Sequence, residues 1–192
     1  MKTLKITLKG LTPLLMHSCE GVNPLHPITR EMKQYTSKRT KTEEDLAIIS
    51  DLEWESGLYY NDDIGVYIPA ENVEASFIDG AKATKKGKDL QKYCSVLDFR
   101  IPLEYGSTKS KEELKKDMSF RDVRAVNIMR AKVIRTRPRF NSWKISFKYA
   151  YDETKIDLDT IKSAIEYSGS YVGICDNRPK YGKYSSVIEE LD

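Results

Sequence analysis

NSWKISFKYAY, residues 141–151, alternates with a period of two: Trp143, Ile145, Phe147, Tyr149 and Tyr151 fall on one side, Lys144, Ser146 and Lys148 on the other. That pattern predicts a β-strand with one buried and one solvated face. Further along the chain, Asp157 stands where it can cap a helix whose Leu158, Ile161, Ala164 and Ile165 recur at helical spacing, and Gly169 marks the end of that helix. A last strand is expected over 185–189. On the N-terminal side, VRAVNIMRAKVIRTR (123–137) is rich in β-branched residues and predicts one long strand, or two with a bulge near Ala125.

The first half of the chain adds the remaining pieces. Leu4, Ile6 and Leu8 alternate with Thr3, Lys5, Thr7 and Lys9, which predicts a strand at the N-terminus. Residues 58–60 and 66–68 flank Asn61, Asp62, Asp63 and Gly65, the composition of a hairpin turn. Pro69 suits the first turn of a helix over 70–84, with Val73, Phe77, Ile78 and Ala81 on one face, and 101–105 reads as a short strand. Residues 11–63 read as an irregular, polar, projecting segment with one short helix near 43–49, and 85–120 as a second excursion. Without these two insertions the order is strand, helix, strand, strand, helix, strand. The expectation is a single α+β domain over 1–192: a ferredoxin-like, RNA-recognition-like split βαβ palm (1–10, 64–84 and 121–192) carrying insertions at 11–63 and 85–120.

Composition narrows the function classes. The 32 basic and 29 acidic residues leave a net charge of only +3, so any nucleic-acid footprint has to be local. Cys19, Cys94 and Cys175 are odd in number and far apart, which fits reduced thiols better than a disulfide framework or a zinc site. No apolar run approaches the ~20 residues a membrane span needs. The sequence reading is therefore a cytoplasmic protein with no membrane partner, no cofactor and no metal.

Charge is concentrated in one stretch. Between residues 121 and 148 stand nine basic residues and one acid, Asp122, a local +8 that leaves the rest of the chain at −5. Such a stripe is the footprint expected where phosphates lie, the alternative being a solvated strand face balanced by acids such as Glu43, Glu44 and Glu53. The candidate contacts within it are Arg130, Lys132, Arg135, Arg137, Arg139, Phe140 and Lys144, arginine and aromatic together suiting single strands. Trp143 either supports such a platform or, sharing a face with Ile145 and Phe147, belongs to the core. A second candidate is GSYVGICDNRPKYGKY, residues 169–184, with Gly173, Arg178, Lys180, Tyr181 and Lys183 as contacts. It reads as a nucleic-acid contact loop or as a surface hairpin whose glycines serve its turns.

Four phrases spread along the chain carry a resemblance: ITLKGLTPLLMHS (6–18), VYIPAENVEASF (66–77), VIRTRPRFNSWKISF (133–147) and YVGICDNRPKYGKY (171–184). Together they resemble a group of small phage and prophage proteins that is itself similar to the RNA-binding backbone subunits of CRISPR effector complexes. The resemblance implies a split βαβ palm, subunits that stack along a strand, single-stranded RNA or DNA as ligand, and CRISPR effector or phage recombination and replication proteins as partners in an infected or prophage-bearing bacterium. It also implies that the helix after Pro69 starts near the nucleic-acid backbone and that 171–184 is the superfamily's glycine-containing loop. The chain departs from the group at Cys175, where a glycine is usual, and at Asn177, where an aromatic is usual. A catalytic role, such as RNA processing, would need a general base; His17 and His26 are lone loop histidines without a neighbouring nucleophile, so no catalytic residue is assigned. An interaction protein that mimics or blocks an effector subunit is the alternative from a different class.

Overall fold

The strand read over 141–151 forms over Lys144–Tyr151, and its partners decide the rest. The computed structural model describes residues 1–129 and 131–191. In chain order the elements are β1 (Lys2–Gly10), β2 (Leu14–Leu15), α1 (Pro27–Thr36), α2 (Glu43–Gly57), β3 (Tyr60–Asn61), β4 (Gly65–Pro69), α3 (Ala70–Ala81), α4 (Gly87–Tyr93), β5 (Cys94–Val96), β6 (Arg100–Pro102), α5 (Lys111–Lys116), β7 (Arg121–Ile128), β8 (Ala131–Phe140), β9 (Lys144–Tyr151), α6 (Leu158–Tyr167) and β10 (Tyr184–Leu191). The fold is α+β, with three small antiparallel sheets among the described residues. The chain divides into two units, the first of Met1–Leu14, Tyr60–Ser107 and Asn141–Asp192, the second of Leu15–Tyr59 and Thr108–Phe140.

The first unit is built on the sheet β10-β1-β9-β5. Register sets Leu4 opposite Tyr149, Ile6 opposite Phe147 and Leu8 opposite Ile145, so the alternating apolar side chains pool on one face. All six are at most 3% exposed, each contributing about 2 kcal/mol through burial. Helices α3 and α6 cover this face: Phe77 meets Phe147 at 6.3 Å and Tyr149 edge-on at 5.6 Å, and Ile161 and Ile165 are fully buried. The two helices touch at Gly80, where a Cβ would collide with the Ala164 carbonyl and stand 2.8 Å from Ser168 Cβ. The other sheet face presents Lys5, Lys9, Lys144 and Lys148 around a Thr7–Ser146 hydroxyl pair at 2.9 Å. Its described residues from β1, β9 and β10 include no aromatic side chain.

The small sheet β3-β4-β6 completes this unit, with Tyr60 opposite Val66 and Ile68 opposite Ile101, so both the hairpin and the short strand of the sequence reading are present. One assignment changes. The fourth strand of the main sheet is β5, which pairs Cys94 with Tyr151 and Val96 with Tyr149, and it comes from the stretch read as a second excursion. Three residues are too few to display a period of two. The 121–140 segment, expected in the palm, is instead the hairpin of the second unit's sheet β2-β8-β7. β-branched composition marks a strand but does not name its sheet. Ala125 pairs squarely with Ile134, so the expected bulge is absent there, and the chain reverses just after Ile128, with Met129 at φ 54°.

In the second unit α2 runs over fifteen residues, twice the length expected. A capping box starts it: Thr42 Oγ1 accepts from the Asp45 N–H at 3.1 Å, and the Asp45 carboxylate accepts from the Thr42 N–H at 3.0 Å. Trp54 is fully buried, and its indole N–H donates to the Phe120 carbonyl at 2.9 Å. The segment read as too polar for a core therefore carries one; six acids within fifteen residues mask Leu52 and Trp54. Helix α1 was also unforeseen: none of its residues is fully buried, and its apolar stripe is only the half-buried Ile28, Met32 and Tyr35 among polar neighbours. No helix among the described residues is long and apolar enough to cross a membrane.

Candidate nucleic-acid interface

The two candidate regions fall in different units, the 121–140 stretch in the second and the 169–184 loop in the first. In the second, the β7–β8 register puts Arg135, Arg137 and Arg139 on one hairpin face, with Arg124 and Asp122 opposite the first two. Lys132 is exposed on the other face beside Ile134, and Arg130 lies outside the described residues. Arg135 and Arg137 line a cleft of about 630 Å³ together with His17, Met32 and Val126. This unit carries 16 basic and 12 acidic residues, a net +4, whereas the first carries 16 and 17, a net −1.

Many of these cations are already matched. Alternate acids of α2 receive them: Asp51 pairs with Arg121 at 2.6 Å, Glu53 with Arg135, and Glu55 with Lys111 and Lys115 at 2.7 and 3.0 Å. Glu53 also accepts from the Thr136 N–H at 2.9 Å, so the helix is stitched to the hairpin backbone. Arg124 pairs with Asp122. Arg139 makes no ion pair among the described residues, and its Nε is buried without a hydrogen-bond partner there. Of the acids the sequence offered to balance the stripe, Glu53 does so at Arg135.

Phe140 is corrected. It is fully buried, set edge-on to Phe120 at 5.7 Å, and no base can reach it. Trp143 is core as well, 2% exposed, with its indole N–H donating to the Thr12 carbonyl at 2.9 Å. Lys144 belongs to the first unit and pairs with Glu104 at 2.9 Å.

In the first unit the loop after α6 is tied down at both ends. A wide helical turn over Ser168–Val172 closes with the Gly173 N–H donating to the Ser168 carbonyl at 2.7 Å. Ser76 Oγ donates to the Gly173 carbonyl at 2.8 Å, and the Gly182 N–H reaches the Pro13 carbonyl at 2.9 Å. The Lys183 N–H donates to Thr12 Oγ1 at 2.9 Å. The glycines serve this internal packing: Gly173 has φ 78°, and a Cβ there would lie 2.6 Å from the Tyr181 carbonyl. Burial pushes the Tyr184 hydroxyl up to about 12, so it stays protonated beside Ser168, 2.9 Å away. Burial likewise pushes the Cys175 thiol up to about 12, leaving it protonated at neutral pH, with the Asn72 amide 3.7 Å from its sulfur.

The rim of the loop is what faces solvent. Arg178 leans towards Asp79 at 3.7 Å, and Lys180 sits over the Tyr181 ring at 5.9 Å. Tyr171 is 65% exposed, its ring 4.8 Å from that of Tyr167. Asp79, Tyr171, Asp176, Asn177 and Arg178 line an open concavity of about 520 Å³. Asp79 escaped the sequence reading because nothing local links it to a residue almost a hundred positions later. No protein-family model matches the chain, and no curated protein matches it either.

Proposed function

We propose that this chain binds single-stranded nucleic acid through its phosphates, with the arginine face of the β7–β8 hairpin as the main contact. The observation that carries this reading is the alternation of Arg135, Arg137 and Arg139 on one face, the first two lining a cleft in a unit of net charge +4. Guanidinium forks grip phosphate oxygens in pairs, and a flexible single strand can follow a cleft that a duplex cannot enter. The first unit is read as a ferredoxin-like palm. Its sheet order β10-β1-β9-β5, with α3 and α4 before β5 and α6 before β10, supports that reading. Its open face offers lysines and hydroxyls without aromatics, which favours backbone contact over base stacking on the sheet. Phage origin, stacking of copies along a strand and kinship to CRISPR backbone subunits belong to the same proposal and rest on the four sequence phrases.

Titration of labelled single strands over a salt series tests the proposal. The logarithm of affinity falls linearly with that of salt, at about 0.7 per phosphate contacted. Replacing Arg137 and Arg139 together by Ala weakens binding at least tenfold and flattens the slope by about 1.4, while circular dichroism reports an intact fold. Salt-insensitive binding, or a double variant that binds like the parent, would overturn the reading.

A further inference from the structure

β10 is the outer strand of the sheet β10-β1-β9-β5, and only half of its backbone is engaged. The Gly10 N–H donates to the Trp143 carbonyl at 2.9 Å, so the even-numbered residues of β1 bond to β9. The Leu11 N–H donates to the Lys183 carbonyl at 2.8 Å, in step with the register that sets Thr7 opposite Val187 and Lys5 opposite Glu189. Ser185, Val187, Glu189 and Leu191 therefore bond to β1, while Ser186, Ile188 and Glu190 turn their N–H and C=O groups outward. No backbone hydrogen bond among the described residues takes up these outward groups. The opposite edge of the sheet differs. There β5 has three residues, and the outward N–H of Val96 is held by the Glu74 carboxylate at 2.8 Å.

We propose that β10 pairs antiparallel with β10 of a second copy of this chain, about a two-fold axis through Ile188. Outward groups have to meet outward groups, and Tyr184 is closed off by Gly169, where a Cβ would lie 2.4 Å from the Tyr184 carbonyl. An axis at Ile188 engages all three outward residues of each copy, whereas an axis at Val187 would leave Glu190 without a match. In the Ile188 register that residue faces its own copy, and each Ser186 stands opposite a Glu190, hydroxyl donor against carboxylate acceptor. Val187 stands opposite Glu189, whose charge Lys5 already meets at 3.5 Å, so no two glutamates oppose each other. Residues directly opposite share a face, so the face bearing Lys5, Lys9, Lys144 and Lys148 continues from one copy into the next. The contact is self-complementary and closes at two copies. It rests on strand geometry and stands whether or not the chain binds single strands.

Sedimentation velocity of the full chain, free of nucleic acid and across a micromolar concentration series, tests the pairing through the monomer–dimer equilibrium it predicts. Glu190→Pro removes an N–H that β1 does not use, so circular dichroism stays at the parent's while association weakens at least about tenfold. A second readout needs no proline. In a Cys19→Ser background, Ile188→Cys places two thiols across the axis with Cα atoms about 5.5 Å apart, and mild oxidation crosslinks them. Val187→Cys, which meets its own copy only on the diagonal, does not crosslink. A parent that sediments as a monomer throughout, or crosslinking as strong at 187 as at 188, would overturn the pairing. So would a folded Glu190→Pro protein that associates like the parent. Because nucleic acid is absent, failure here leaves single-strand binding to its own salt titration.

Discussion

Gly80 shows how much one residue can decide. The helix pair α3 and α6 closes over it so tightly that the Ala164 carbonyl occupies the place of a Cβ. Gly80→Ala gains up to about 1 kcal/mol of helix propensity and forces apart two packed backbones, at about 1–3 kcal/mol. The net expectation is a lower thermal midpoint followed through Trp143, and an unchanged or raised midpoint would mean the helices separate at no cost. In the sequence Gly80 gave no sign, since its neighbour across the interface is more than eighty residues away. Phe140 was misread for a related reason. An aromatic among arginines looks the same in sequence whether it stacks on a base or packs on Phe120 at 5.7 Å. Trp143, by contrast, was legible because its strand alternates without a break.

Among elements, α2 carries the electrostatics. Burial raises the Glu55 pKa, but hydrogen bonds from Lys111 and Lys115 outweigh it and hold the carboxyl below its usual value. The Asp45 carboxyl is lowered too, by the Lys38 ammonium and the Thr42 N–H. A pKa lower in the folded than in the unfolded state gives stability that is whole above the unfolded value, about 4, and lost as pH falls through the folded one. The second unit, followed by Trp54, should therefore hold a steady midpoint from about pH 7 to 5 and lose it below about 4. Glu55→Gln should lower the neutral-pH midpoint and make the acid decline shallower; an equal decline in both proteins would assign the acid sensitivity elsewhere. Elements with a strong period, β1, β9, α3 and α6, were readable from the chain. Those that failed had a physical reason: β5 is three residues long, α1 has a stripe of only half-buried apolar residues, and α2 hides its core residues among carboxylates.

At the scale of the whole chain, the palm and insertions of the sequence reading become two units, each with its own core and, by the sequence, one tryptophan. Trp143 lies with β1, β9 and α6, and Trp54 with α2 and the hairpin. The main sheet of the first unit takes β1, β5, β9 and β10, with α3 and α4 before β5 and α6 before β10, whereas the basic hairpin expected in it belongs to the other unit. The charge has gone with it, which is why +3 for the chain conceals +4 and −1. Separate cores predict separate melting. In Trp54→Phe and Trp143→Phe variants, each retaining a single indole, urea titration should give two midpoints that do not coincide, and circular dichroism should span both. Under the proposed binding to the arginine cleft, a saturating uridine strand should raise the midpoint of the second unit, by about 2.7 kcal/mol at a hundred times Kd, more than that of the first. Coincident transitions that shift together would show that the chain folds and binds as one cooperative body.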